Sequence, residues 1–291
     1  MKNVKPHTSK YKLFFWIKRK LLGLGNNKPV KPLFIFTHHK TSTVLMGNVF
    51  RKISNDLGLK FCKVYGYCKD VPTGYDIVLF EHSLVSEKVL ASDFHGIHII
   101  RDPRDVLVSG YLYHLHTDEE WCTTEPNPTL PINFPYIDFV REHMPDGWKL
   151  NYIQSLSRKS YQNNLSSLPK EEGIIFEMEK YTGWTIEDML SWDYTQPKVL
   201  EFKMEEILSD FNNSFKKIIS LFGFNSKVSE HCFKRAKEED INSMSSAKIA
   251  KNKHIHSRKV KKWEEHLNEK HLILLENKYP KYLEKLGYGK G

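Results

Sequence analysis

The first clear signal along the chain is Pro32-Leu33-Phe34-Ile35-Phe36-Thr37, an apolar run closed by His38-His39-Lys40. Its β-branched and aromatic content predicts a short buried strand. Just after it, Val44, Met46, Val49, Phe50, Ile53 and Leu57 recur at helical spacing, which predicts a helix over 43–57. Strands follow over 61–65, 76–80 and 96–100. Pro103 then opens a helix that runs to 116, at a position where the missing N–H is not needed.

Residues 117–135 carry four prolines and read as a loop insertion. Beyond them, 147–168 and 170–192 look mostly helical, 197–203 is the last sheet strand, and helices are expected over 210–222, 227–239 and 268–286. The polar stretch 240–260, rich in Ser, Lys and His, reads as a loop. Strand–helix alternation of this kind argues for an α/β chain with a central, mostly parallel sheet flanked by helices. No repeat or boundary divides it, so 31–288 is taken as one domain behind a basic extension over 1–30.

Within that extension, 11–24 reads YKLFFWIKRKLLGL, with Lys and Arg interrupting the apolar residues. A signal peptide needs an unbroken apolar segment behind its charges, so export is not expected. A short helix lying on the domain's own core accounts for the pattern, and peripheral contact with a membrane surface is the alternative. The ten residues ahead of it show no pattern and read as mobile.

Composition adds less. Hydrophobic residues at 40% and charged residues at 27% describe a folded chain rather than a disordered one. Lys plus Arg number 44 against 35 Asp plus Glu, a formal charge of +9. That excess favours an anionic partner without choosing among nucleic acid, a membrane and a phosphorylated small molecule. The four cysteines, at 62, 68, 122 and 232, form no C-x-x-C, which points to a reducing, cytoplasmic setting rather than a zinc or dithiol site.

The loop Thr37-His38-His39-Lys40-Thr41-Ser42-Thr43 joins a strand to a helix start. Free N–H groups, the positive end of the helix dipole, one Lys and several hydroxyls make an anion site. Lys40-Thr41 matches the last pair of the nucleotide-binding pattern G-x-x-x-x-G-K-S/T, but the loop holds no glycine, which disfavours a P-loop kinase. Farther on, Arg101 ends a strand and Ser109 lies two turns into the next helix. An arginine and a hydroxyl at the carboxyl edge of a sheet suit a second phosphate.

HHKTSTVL after a strand, followed by HIIRDPRDVLVSGYLYH, resembles the PAPS-dependent sulfotransferase family, PAPS being 3′-phosphoadenosine-5′-phosphosulfate. The first segment is similar to the family's P-K-S-G-T-T-W loop. Arg101, Pro103, Asp105 and Ser109 fit its R-x-P-x-D-x-x-x-S motif at the right spacing. Val199-Leu200-Glu201-Phe202-Lys203-Met204-Glu205-Glu206-Ile207 resembles V-L-x-x-x-Y-E-D-L, and Arg258-Lys259 ahead of Trp263 resembles R-K-G…W. The likeness covers 31–288 and departs at Ser42 and Val260, which replace glycines, and at Leu45 and Met204, which replace aromatics near the adenine.

The resemblance implies a P-loop-nucleotide-kinase-like topology and transfer of a sulfuryl group from PAPS to a hydroxyl or amine, leaving PAP. It gives Lys40 the leaving phosphate, and Thr41, Ser42, Thr43 and Val44 the 5′-phosphate. Arg101, Ser109, Arg258 and Lys259 take the 3′-phosphate, and Phe233 is a candidate for packing on the base. His82, in Phe80-Glu81-His82-Ser83, takes the place of the general base, with Glu81 the second choice. No metal is implied. His38, His39, His114, His116 and Cys122 make an unconvincing ligand set, since His114 and His116 point different ways on a helix. A nucleic-acid-binding module is the rival from another class, but apart from 253–262 the basic residues are spread along the chain. The acceptor is not readable, although Trp121, Phe134 and Tyr136 in and beside the Pro-rich insertion are expected to shape its pocket.

Overall fold

The computed structural model describes residues 4–6, 12–24, 27–126, 148–245 and 260–289. In chain order these hold β1 (Val4–Pro6), α1 (Lys12–Leu21), β2 (Leu33–Thr37), α2 (Thr43–Leu57), β3 (Phe61–Val64), β4 (Ile77–Phe80), β5 (His95–Ile100) and α3 (Pro103–His114). There follow α4 (Trp148–Ser155), α5 (Tyr161–Ser167), α6 (Lys170–Glu177), α7 (Gly183–Ser191), β6 (Val199–Lys203), α8 (Phe211–Ser220), α9 (Ser226–Lys237) and α10 (Glu269–Lys278). The chain falls into two compact units, Met1–Ile100 with Asp193–Arg258, and Arg101–Trp192 with Lys259–Gly291. Each unit draws on separated stretches of sequence, so neither has an edge that composition could mark.

The first unit contains the whole sheet, in the order β1-β3-β4-β2-β5-β6. Five strands, β2 to β6, pair in parallel. Numbered among themselves they run 2-3-1-4-5, the P-loop-nucleotide-kinase-like order that the resemblance implies. Strand β2 is central and every one of its residues is buried, as expected of a strand covered on both faces. At one edge, β6 buries Val199 and Phe202 and leaves Leu200 and Glu201 exposed.

The other edge differs from the sequence reading. Val4–Pro6 pairs antiparallel with β3, Val4 opposite Val64 and Pro6 opposite Cys62. Three residues are too few for a periodic signal, and an edge strand tolerates a proline that has no N–H to give.

The core of this unit lies between the sheet and the helices α2, α8 and α9, around Met46, Phe50, Ile53, Ile97, Phe215 and Ile218. A charged clasp fixes α2 against α9: the buried Asp56 carboxylate receives His231 Nε2 at 2.8 Å and Arg235 Nε at 2.5 Å. Helix α1 is tied to the end of α2 by Arg19 Nη1, which donates to the Leu57 carbonyl at 2.9 Å. Trp16, Ile17 and Leu21 remain exposed on it.

The second unit is helical. Here the predicted helices are broken where the backbone demands it. The 147–168 stretch splits at Ser157 and Arg158, both at positive φ (51° and 63°). The 268–286 helix stops at Tyr279, whose φ of −129° is imposed by Pro280 beside it. Between α6 and α7, Met178–Thr182 forms one π-helical turn. Next to it the buried Glu177 gathers His114 Nδ1 at 2.9 Å, Tyr161 Oη at 2.8 Å and Thr182 Oγ1 at 2.5 Å. Gly110 faces this cluster, where an added Cβ would lie 2.7 Å from Glu177 Oε1.

Candidate active site

In the first unit the loop after β2 is held by its own hydroxyls. Thr41 Oγ1 accepts from the His38 N–H at 2.7 Å, and Thr41 N–H donates to the His38 carbonyl at 3.1 Å. Thr43 Oγ1 also donates to that carbonyl at 3.0 Å and lies 2.9 Å from Thr37 Oγ1. Thr41 and Thr43 therefore build the loop rather than point out of it.

Lys40 and Ser42 both take left-handed backbone, φ 64° and 81°. Ser42 stands at the N-cap of α2 and makes no capping hydrogen bond. Its Oγ is buried with no partner. The first intrahelical bond runs from Met46 N–H to the Ser42 carbonyl at 3.0 Å, so the N–H groups ahead of it have no helical acceptor. An uncapped fifteen-residue helix, a buried orphan hydroxyl and Lys40 in the same turn fit an anion.

Strand β4 runs beside β2, Phe36 opposite Phe80, which sets Glu81 and His82 at the same end of the sheet as this loop. Ser83 Oγ joins the two ends by donating to the Thr37 carbonyl at 2.8 Å. Glu81 is buried and its carboxylate accepts from Lys63 Nζ at 2.8 Å. His82 is half-buried, with Nδ1 accepting from Gly66 N–H at 3.4 Å. His38, in the loop itself, is buried. That burial first, then His98 and His82 nearby, holds its pKa well below the ordinary histidine value.

In the second unit Arg101, the residue after β5, is buried, and its Nη2 lies 3.5 Å from Asp105 Oδ2. Asp105 and Ser109 are four residues apart on α3 and share a face. The sequence motif contains Asp105 but does not show its task. Its carboxylate accepts the backbone N–H of Lys261 at 2.9 Å and of Trp263 at 3.0 Å, fixing the turn that follows Arg258-Lys259 in the chain. Arg104 forks onto Asp102, with Nη2 at 2.7 Å, and lies 3.8 Å over the Trp263 ring. Lys262, which in the sequence is only the last residue of the basic run 253–262, sits in that turn. Burial first and then Arg101 lower its pKa.

The remaining expectations separate. Phe233 lies on α9, partly buried against the core of the first unit, as are Leu45 and Met204. Arg258 and Lys259 fall outside the described residues, as do Phe134 and Tyr136. Trp121 stacks on Tyr181 at 4.9 Å between ring centroids, inside the second unit. Among the described residues no three His, Cys, Asp or Glu side chains gather as metal ligands. All four cysteines are free and buried, and burial pushes Cys62 up to about 12 and Cys68 to about 11, which leaves both as inert thiols. Among the described residues no helix is long and apolar enough to cross a membrane.

The sulfotransferase domain family matches residues 77–287, most of the chain. The chain belongs to this family, and its reaction class is therefore sulfuryl transfer. The match takes in Glu81, His82, Arg101, Ser109, Phe233, Arg258 and Lys259, while the Lys40 loop precedes it. No curated protein matches the chain.

Similar solved structures include mouse sulfotransferase SULT7A1 complexed with PAP, at 15% identity over 90% of this chain and 88% of that one, with a TM-score of 0.44. Retinol dehydratase in complex with androsterone and the inactive cofactor PAP is 14% identical over 91% and 85%, TM-score 0.44. Retinol dehydratase with retinol and PAP is 12% identical over 96% of each chain, TM-score 0.42.

Proposed function

We propose that the protein transfers the sulfuryl group of PAPS to an acceptor hydroxyl or amine, with PAP as the other product. The observation that carries the donor assignment is the loop of Lys40 and Ser42, where an uncapped helix start and an orphan Oγ await an anion in a chain of this family. PAPS supplies an activated sulfuryl group with a phosphate as leaving group, so the residues have only to position and to balance charge.

Lys40 stabilises charge on the leaving oxygen. Ser42, Thr43 and Val44 offer N–H groups at the start of α2, and the Ser42 hydroxyl adds one more donor. Thr41 shapes the loop. Arg101 and Ser109, with Arg258 and Lys259, hold the 3′-phosphate, and Asp105 fixes the turn next to them. His82 takes the acceptor's proton, a role for which Glu81 is less suited because Lys63 already neutralises it. Leu45, Met204 and Phe233 supply apolar surface for the base. Residues 11–24 are the candidate for contact with a membrane surface, through the exposed Trp16, Ile17 and Leu21.

Titration with PAP, followed by thermal shift, tests this reading: PAP raises the melting temperature, while ATP with Mg²⁺ and nucleic acid do not. Lys40→Ala removes transfer from labelled PAPS, and Arg101→Ala weakens PAP binding. Stabilisation by ATP–Mg²⁺ alone would restore the kinase alternative, and retention on nucleic acid alone the binding module. An acceptor screen with labelled PAPS then identifies the second substrate.

A further inference from the structure

Basic residues occur throughout the chain, but their excess does not. Residues 1–30 contain eight Lys and Arg and no Asp or Glu, while residues 31–291 set 36 basic residues against 35 acidic ones. Of the formal charge of +9, all but one unit therefore belongs to the N-terminal extension.

Within that extension α1 is anchored to the first unit. Arg19 Nη1 donates to the Leu57 carbonyl at 2.9 Å and fills the space over Gly58, where an added Cβ would collide with it. Leu24 N–H donates to the Arg19 carbonyl at 3.1 Å, and the Leu24 side chain enters the core. With one side so held, two rows of the helix face outward: Trp16 with Lys20, and Ile17 with Leu21, each pair one turn apart. Leu21 is 83% exposed and Trp16 45% exposed, and Leu22 beyond the helix end is exposed as well. Lys20 Nζ lies 4.2 Å over the Trp16 ring, and Lys227 Nζ sits beside Gly23 just past the helix. The helix that α1 packs on adds no free carboxylate: Asp56 is the single acid of α2, and it is buried and holds His231 and Arg235.

Solvation accounts for lysines at a surface, but not for four large apolar side chains in water beside them. Nucleic acid offers phosphates to the cations and no apolar phase to Ile17 and Leu21. An anionic lipid surface offers both, charged headgroups for the ammonium groups and acyl chains for the apolar ones. Trp16 with an ammonium over its ring suits the boundary, the indole at headgroup depth and Lys20 reaching toward phosphate. Ten residues rise about 15 Å against a hydrocarbon core of about 30 Å, so this helix lies flat and does not span. We infer that α1 docks the protein on a membrane rich in anionic lipid, with Trp16, Ile17 and Leu21 inserted at the interface. This docking rests on the membrane contact proposed above and is independent of the sulfuryl-transfer chemistry.

Co-sedimentation of the full-length protein with lipid vesicles tests the docking. Phosphatidylcholine vesicles with about one-third phosphatidylserine should bind it more tightly than phosphatidylcholine alone, by about tenfold or more. Raising the salt from about 0.1 M to about 1 M should undo that preference, because screening then sets in within about 3 Å. Tryptophan emission should shift to the blue on vesicle addition, and Trp16→Phe should remove most of the shift. Lys12→Gln with Lys18→Gln and Lys20→Gln should weaken binding about 100-fold, and Ile17→Ser with Leu21→Ser about tenfold or more. Melting temperature and PAP affinity should stay unchanged in these variants. Equal binding to neutral and anionic vesicles overturns the choice of lipid and leaves membrane contact standing. Binding to neither overturns both. Anionic binding that survives every α1 variant places the contact elsewhere and overturns the docking. Retention on duplex DNA without vesicle binding, or a dimer that Leu21→Ser dissolves, overturns it in favour of nucleic acid or of a second copy.

Discussion

The carboxylate of Asp105 accepts the backbone N–H of Trp263 at 3.0 Å, joining the first turn of α3 to a residue 158 positions later. A second bond, from Lys261 N–H at 2.9 Å, makes the hold two-pronged. Asp105→Ala leaves both N–H groups unpartnered and takes a carboxylate away from the buried Arg101. At about 1.5–3 kcal/mol for each hydrogen bond to a charged group, several kcal/mol of stability should be lost. Thermal unfolding checks the loss, and PAP titration should show weaker binding, since the turn after Arg258-Lys259 is released. Asp105→Asn, which keeps an acceptor, should lie between.

Ser42 occupies left-handed backbone at φ 81°, ψ 12°, a conformation that glycine adopts without strain. Ser42→Gly should raise stability by about 1 kcal/mol, read as a higher midpoint in urea unfolding. It also removes the orphan Oγ. If that hydroxyl donates to the phosphosulfate, the more stable variant should bind PAPS more weakly, so the two readouts move in opposite directions.

Glu81 and His82 are neighbours with different surroundings. Glu81 is buried against Lys63 Nζ at 2.8 Å, so Glu81→Ala should lower stability by leaving a cation poorly paired. His82→Ala should remove about 100-fold or more of kcat with little change in melting temperature or PAP affinity. Loss of turnover confined to Glu81→Ala would transfer the role of base to the carboxylate.

The buried His38–His98 pair makes stability depend on pH. His98 titrates at about 3 in the folded protein against an ordinary 6.5, so between those values the unfolded chain binds a proton that the folded one refuses. Its contribution is intact above pH 6.5 and is lost as the pH falls toward 3, at up to about 1.4 kcal/mol per pH unit. His38 acts in the same direction. Urea unfolding between neutral pH and pH 5 should show the decline, and His98→Gln should flatten it.

Much of this arrangement is legible in the amino-acid chain itself. The five parallel strands all lie where apolar runs mark them, and Leu33–Thr37 is the buried centre its composition demands. Lys40, His82 and Arg101 each stand at the end of a predicted strand, which is where the sheet puts them. The helix start at Thr43 is also in the sequence, because Met46, Phe50, Ile53 and Leu57 carry its periodicity.

What the chain does not announce is pairing at a distance. β1 is three residues long and exists only because β3 offers an open edge. Nothing in the spacing of His38, His98 and Glu201 links residues 60 and 103 positions apart, and Asp105 gives no local sign that it holds Trp263. Periodicity records which face of an element is buried, and motifs record which side chains bear chemistry. The order of strands and the long-range course of the chain decide which of those side chains share a hydrogen bond. Sequence thus determined an α/β sulfotransferase with Lys40, His82 and Arg101 in the segments that follow its strands. Tertiary structure alone decided that Ser42 leaves α2 uncapped, that Lys63 occupies Glu81, and that His98 lies between a glutamate on the edge strand and a histidine in the anion loop.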